Sequence, residues 1–453
     1  MASHEALAAA SEVLQNASGA DWGDFFMKRS ASRNLYFTDG KIEEIASSVS
    51  AGCSARLLRG RYTALASASG VDRGALSLVW SDVCRQASLA ASALPQLDFP
   101  LERPRAYFPD DWEACYRIDR ELRRECRWIR QIVISGASGS STAALASRES
   151  ARKWRREACS FSVSVLLERD GRVENGYSSW RRAGDARDYF ERLDIGLMAR
   201  KALDRALLNL EALECPAGVM PVVLSERAGG TIIHEACGHG MEADLVYEED
   251  SCFAGRLGEA VAAENVTIVD DATVSGAYGS YGYDDEGVPA QRTVLVENGI
   301  LKNYLSDRRS AMLYHLPLTG NGRRSGYSVM PQPRMSNTFV MPGTDDEREM
   351  IARVQRGLYV RSMGGGEVNT TTGEFVFEVS EGYLIENGAV TKPVKGATLA
   401  GSGLEALKNI RAVGKKLHLD PGICEKEGQS VPVTDGQPSL LIEGLTVGGT
   451  ATE

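Results

Sequence analysis

Residues 234–244 read His-Glu-Ala-Cys-Gly-His-Gly-Met-Glu-Ala-Asp, and the five-residue step from His234 to His239 constrains the backbone more than any other feature of the chain. Two of only five histidines fall here, with Glu235 directly after the first. Imidazole is a neutral ligand for zinc, and a glutamate beside it can take a proton from a metal-activated water. The familiar spacing is His-Glu-x-x-His, which leaves the two rings about 40° apart around an α-helix. A step of five widens that to about 140°, too far for one ion. A shared metal therefore requires a π-type turn or a helix break around Cys237 and Gly238, where glycine frees the backbone. The plain alternative is a pair of satisfied core histidines on a buried helix.

A catalytic zinc needs a third protein ligand and one open position. Nearby candidates are Cys237, Glu242 and Asp244. The two carboxylates could equally sit behind the metal and fix a histidine ring. A distant candidate is Cys424, in a Gly-flanked stretch, PGICEKEGQSVPV, from 421 to 433. The residues by themselves do not separate Cys424 from a buried structural cysteine.

The rest of the chain supplies the frame. Its 453 residues exceed one ordinary core and point to two domains. Residues 3–15 place Leu7, Ala10, Val13 and Leu14 on one helical stripe. Short strands are expected between 21 and 69, with a hairpin turn at Asp39 and Gly40, then a helix over 70–92. Pro95, Pro100, Pro104 and Pro109 interrupt the pattern. Residues 111–130 read as a charged helix whose arginines form a solvated, ion-paired face rather than a phosphate site. A hairpin over 161–177 turns at Asp170 and Gly171, and one amphipathic helix is expected over 185–213. Cys215, Pro216 and Gly218 mark a linker. The expected class is α+β, with a mixed α/β N-terminal domain over 1–215 and a β-rich C-terminal domain over 216–453 carrying the metal-binding helix. Two hairpins with Asn-Gly turns, 294–301 and 383–390, belong to the second half.

Composition removes other classes. A net charge of −10 argues against a nucleic-acid binder, which needs a clustered basic footprint. No apolar run is long enough to span a bilayer, and the first residues lack the basic start and apolar core of a signal peptide. Nine scattered cysteines without a CxxC pair read mostly as small apolar residues in a reducing compartment, hence a cytoplasmic protein. Gly401, Gly403 and Ala406 match GxGxxA, but the preceding strand is weak and Asp420 lies in a loop, so a dinucleotide site is not expected.

Several long blocks resemble the TldD/PmbA family of metallopeptidases. They are HEACGHGMEAD itself, TGNGRRSGY (319–327), PQPRMSNTFV (331–340), the stretch 357–401, and 422–450, with LYFTDGKIEEI near the N-terminus more loosely similar. The resemblance implies a zinc ion held by His234, His239 and Cys424, with Glu235 as catalytic base. It implies peptide substrates, unstructured or modified, and a dimer, with itself or with a homologous subunit, around an interior chamber. One branch of the family has lost the metal motif and acts as a partner; this chain keeps all four residues. It departs from the family at Cys237, where a small aliphatic residue is expected. Candidates for stabilising the oxyanion are His315, Arg323, Arg324 and Tyr327. Two rival functions use the same residues: a metal-dependent amidase or cyclase acting on a small natural product, and a regulatory partner subunit.

Overall fold

Phe25, Met27, Leu35 and Phe37 fall on one face of a single long strand, and this parity decides where the N-terminal helices lie. The computed structural model describes residues 2–94, 101–109 and 112–451. Strand β1 (Trp22–Thr38) turns at Asp39 and Gly40, with φ of 49° and 75°, into β2 (Lys41–Arg59). Two successive positive φ values are the hairpin signature that the sequence carries. With β3 (Tyr62–Ser69), β4 (Ile129–Ser147), β5 (Ala151–Arg169) and β6 (Arg172–Ala183) these form an antiparallel sheet in the order β3-β2-β1-β4-β5-β6. The strands between 21 and 59 are long rather than short. Ser30, Ser32, Ser48 and Ser50, which look like interruptions, keep register across the β1–β2 pair.

Helices cover the apolar face. α1 (Ala2–Gln15) and α2 (Arg73–Gln86) seal one end around Phe25 and Trp80. α3 (Glu113–Glu125) and the helix Ile195–Glu211 seal the other around Phe37, Ile134 and Val163. The single helix expected over 185–213 is two, α4 (Ala186–Phe190) and α5 (Ile195–Glu211). Asp185 and Asp194 each cap a helix start by accepting a backbone N–H, at 2.9 and 2.8 Å, so a second N-terminus interrupts the periodic pattern. Pro95 and Pro100 lie outside the described residues; Pro104 and Pro109 sit in irregular chain before α3.

The second half is β-rich, as expected, and mixed in direction. Strand Gly218–Leu224 lies in an eight-stranded sheet between Arg356–Asn369, parallel to it, and Leu440–Gly448, antiparallel to it. A six-stranded sheet ends with Asn337–Val340, Gln429–Gln437 and, outermost, His418–Lys426. Both Asn-Gly turns form, at Asn298 and Asn387. The GxGxxA stretch is an antiparallel strand, Thr398–Ser402, followed by a short helix, not a βαβ unit. Its glycine has another role: a Cβ on Gly403 would stand 2.3 Å from the carbonyl oxygen of Ala236 in the histidine-bearing helix.

The two halves meet through buried charge. Arg56, 1% exposed, pairs with Asp24 at 2.7 Å and with Glu286 of the second half at 2.6 Å. Phe26 and Leu145, on the sheet face away from the helices, pack with Tyr327. No helix among the described residues is long and apolar enough to cross a membrane.

Candidate metal centre

The histidine helix starts at Gly230, whose φ of 62° is left-handed and whose absent side chain leaves room for the Gly436 backbone. It then passes through three turn types: an α turn (Thr231–Ile233), a π turn (His234–Gly238) and a 3₁₀ turn (His239–Met241). The His239 N–H donates to the His234 carbonyl, closing the wide turn that the five-residue spacing requires. The two rings then stand at right angles, 4.9 Å apart.

Cys424 arrives from the hairpin of His418–Lys426 and Gln429–Gln437, which turns at Glu427 and Gly428. Its Sγ lies 3.2 Å from Nε2 of His234 and 3.2 Å from Nε2 of His239. All three side chains are buried, and their ligand atoms lie within 4.8 Å of one another. Arg334 holds this strand from behind, donating to the Cys424 carbonyl at 2.8 Å. Burial alone would raise the Cys424 thiol, but hydrogen bonds from both imidazoles outweigh it and bring the pKa down to about 5. A thiolate is the form a metal binds.

The far ring nitrogens are held as well. Nδ1 of His234 meets Asp435 at 2.6 Å, and Nδ1 of His239 meets Glu242 at 3.0 Å. A carboxylate on Nδ1 fixes the tautomer that offers the Nε2 lone pair. The donor set therefore fits a single cation: two imidazoles oriented from behind, a depressed thiol, and convergence on one point. Glu242 backs the His239 ring and is not among the three converging ligand atoms. Asp244 binds Lys426, at 2.7 Å, rather than a histidine. Cys237 turns away; its Sγ donates to the Ile233 carbonyl at 2.8 Å, and burial raises its thiol pKa.

Glu235 stands beside this cluster, its carboxylate 4.0 Å from Nε2 of His239 and 23% exposed. Burial raises its pKa, with the two histidines opposing. His234 and Glu235 face a cleft of about 1160 Å³ between the two halves, walled by Arg181 of β6, Lys201 and Arg205 of α5, and Gly364, Gly365 and Tyr383. Gly364 and Gly365 sit in an irregular part of strand Arg356–Asn369, so backbone is presented to the cleft there.

The four oxyanion candidates do not line this cleft. His315 is exposed at the end of helix Arg308–Tyr314. Arg323 is buried and spends its guanidinium on the carbonyls of Met335 and Pro432. Arg324 bonds the Asp285 carbonyl at 3.1 Å, and Tyr327 packs at the junction of the halves. Packing engages Arg323, Arg324 and Tyr327 away from the cleft, and His315 stands exposed outside it. Asp435, Lys426 and Arg334 were missed, since their partners lie 90 or more residues away and no local spacing marks them.

Gly230 yields a test of this construction. A Cβ there would lie 2.4 Å from the Gly436 nitrogen, next to Asp435. Gly230→Ala is expected to destabilise the chain by at least about 1–2 kcal/mol, the ordinary cost of a left-handed L-residue, and to weaken metal retention by displacing Asp435 from His234. Urea unfolding and metal analysis check both; wild-type values would refute the packing argument.

Comparison with known proteins follows the same lines. Residues 217–449 match the family profile described as the PmbA/TldA metallopeptidase C-terminal domain, and residues 23–91 match that of domain 1. The metalloprotease TldD homolog of Haemophilus influenzae is 38% identical over 95% of this chain and 93% of its own. The zinc metalloprotease TldD homolog of Saccharolobus solfataricus is 30% identical over 71% of this chain and 67% of its own. The crystal structure of TldE from Thermococcus kodakarensis shares the fold, with a TM-score of 0.74 at 18% identity over 99% of this chain and all of that one.

Proposed function

The chain belongs to the PmbA/TldD metallopeptidase family, and from that premise we propose that it is a zinc peptidase hydrolysing amide bonds of unstructured or modified peptides. The observation that carries this reading is the His234, His239 and Cys424 cluster with Glu235 beside it at the floor of the cleft. Two imidazoles and a thiolate are a donor set that suits zinc, and the word zinc in the name of the Saccharolobus relative supports that choice. When bound, the ion supplies the Lewis acidity that acidifies water and polarises the scissile carbonyl. Glu235 takes the water proton and returns it to the leaving amine. Asp435 and Glu242 keep both imidazoles in the ligating tautomer throughout.

The cleft suits an extended chain. Strand His418–Lys426 is the outermost of its sheet, and its residues from Asp420 to Ile423 line the cleft. A peptide laid along such an edge is held by main-chain hydrogen bonds, which read no sequence. A folded substrate offers no free strand to it. The reading includes a dimer with a second copy or a homologous subunit, which the TldE likeness in fold supports.

The test is elemental analysis of protein purified without chelator, followed by incubation with one peptide in unstructured and disulfide-locked forms. About one zinc per chain is expected, as a three-ligand site holds one ion, with cleavage of the unstructured form only. Cleavage should stop with chelator and return with zinc. A chain that takes up no zinc on reconstitution overturns the proposal. So does a metal-loaded chain that leaves every peptide intact while hydrolysing small amides.

A further inference from the structure

We propose that Lys426 is a positioning residue that holds the histidine–cysteine cluster in its metal-ready arrangement. The inference rests on the metal-centre reading above and adds a residue to it that touches no ligand atom.

Lys426 follows Cys424 by two residues on the same strand, so both side chains leave by the same face. Its ammonium lies 2.9 Å from Glu242 Oε2, and 2.9 and 2.7 Å from the two oxygens of Asp244. The same Glu242 Oε2 accepts from Nδ1 of His239 at 3.0 Å. One strand thus delivers a ligand, Cys424, and also the cation that steadies the carboxylate behind a second ligand, His239. Glu242 is fully buried, and its other oxygen has no hydrogen-bond partner. Removing the cation from a carboxylate so placed leaves an uncompensated buried charge, which strongly favours its displacement. Without Lys426, Glu242 loses the contact that fixes its Oε2 between the strand and the helix, and a carboxylate that turns away releases His239 from the orientation that directs Nε2 at the metal. A purely structural ion pair would instead pin the hairpin to the helix. Its loss would lower stability and leave the affinity of the folded site unaltered.

The experiment measures zinc affinity by chelator competition, with thermal midpoints of the metal-free proteins, for wild type, Lys426→Met, Glu242→Gln and the double variant. Lys426→Met should bind zinc about 10–100-fold more weakly, the usual effect of losing an outer partner of a ligating histidine. Lys426→Arg should recover most of that loss. The double variant should be no weaker than the weaker single one, because Lys426 acts through Glu242. Should Lys426→Met fail to fold, Lys426→Gln makes the same comparison. Zinc affinity within about twofold of wild type, or losses that add in the double variant, would overturn the proposal. A wild type that binds no zinc removes this inference and the metal centre together, whereas one that binds zinc and cleaves nothing removes the peptidase reading alone.

Discussion

Replacing Cys424 by alanine is expected to empty the site: metal content should fall from about one ion per chain to near zero, since only two of the three protein ligands remain. The argument is geometric. Both Nε2 atoms face Cys424 Sγ at 3.2 Å, and the three other groups the local sequence offers as third ligand, Cys237, Glu242 and Asp244, are engaged elsewhere. Glu242 is tied to His239 and Lys426, Asp244 to Lys426, and Cys237 to the Ile233 carbonyl. None can take the third position without breaking a buried contact. The loss should also be visible in stability. A ligand present at a hundred times its dissociation constant stabilises the native state by about 2.7 kcal/mol. Chelator should therefore lower the melting midpoint of wild type and leave that of Cys424→Ala unmoved. Full metal retention in the variant would return the third position to the carboxylates.

That site shows how far a sequence can be read. The π turn was legible because it follows from arithmetic within six residues: two rings five apart meet only if the helix widens. The hairpins at Asp39, Asp170, Asn298 and Asn387 were legible for a similar reason, since each turn residue adopts positive φ locally. The Asp194 cap was not legible; a helix cap inside a periodic stretch looks like one more polar position until its backbone partner is seen. Cys424, Asp435 and Lys426 are different. They reach the histidines, or in Lys426's case the Glu242 behind His239, across some 190 residues through a strand pairing, and pairing register is set by the whole sheet. Cys424 stood among the candidates and family resemblance singled it out, whereas nothing marked the other two. The oxyanion candidates show the reverse: Arg323 and Arg324 have suitable chemistry, yet Arg323 bonds the carbonyls of Met335 and Pro432 and Arg324 that of Asp285, away from the cleft.

Exchanging Glu235 for glutamine should leave metal binding intact and remove turnover. The side chain keeps its size and its place beside His239, so the three ligand atoms and their supporting carboxylates are undisturbed. What disappears is the carboxylate beside the ligands that the proposed reaction uses to accept a proton and pass it on. Asp435 and Glu242 cannot substitute, because each is committed to a histidine Nδ1. Loss of a positioned general base lowers rates by about 10²–10⁴-fold, and the fall should appear in kcat with KM nearly unchanged, since the strand-edge contacts proposed to hold a peptide do not involve Glu235. Metal analysis of the same preparation separates this result from ligand loss. A variant that retains its metal and keeps more than about a tenth of wild-type kcat, against the range expected for a general base, would show that another group moves the proton, and His418 of the cleft wall, paired with Asp420 at 3.3 Å, would be the next residue to change.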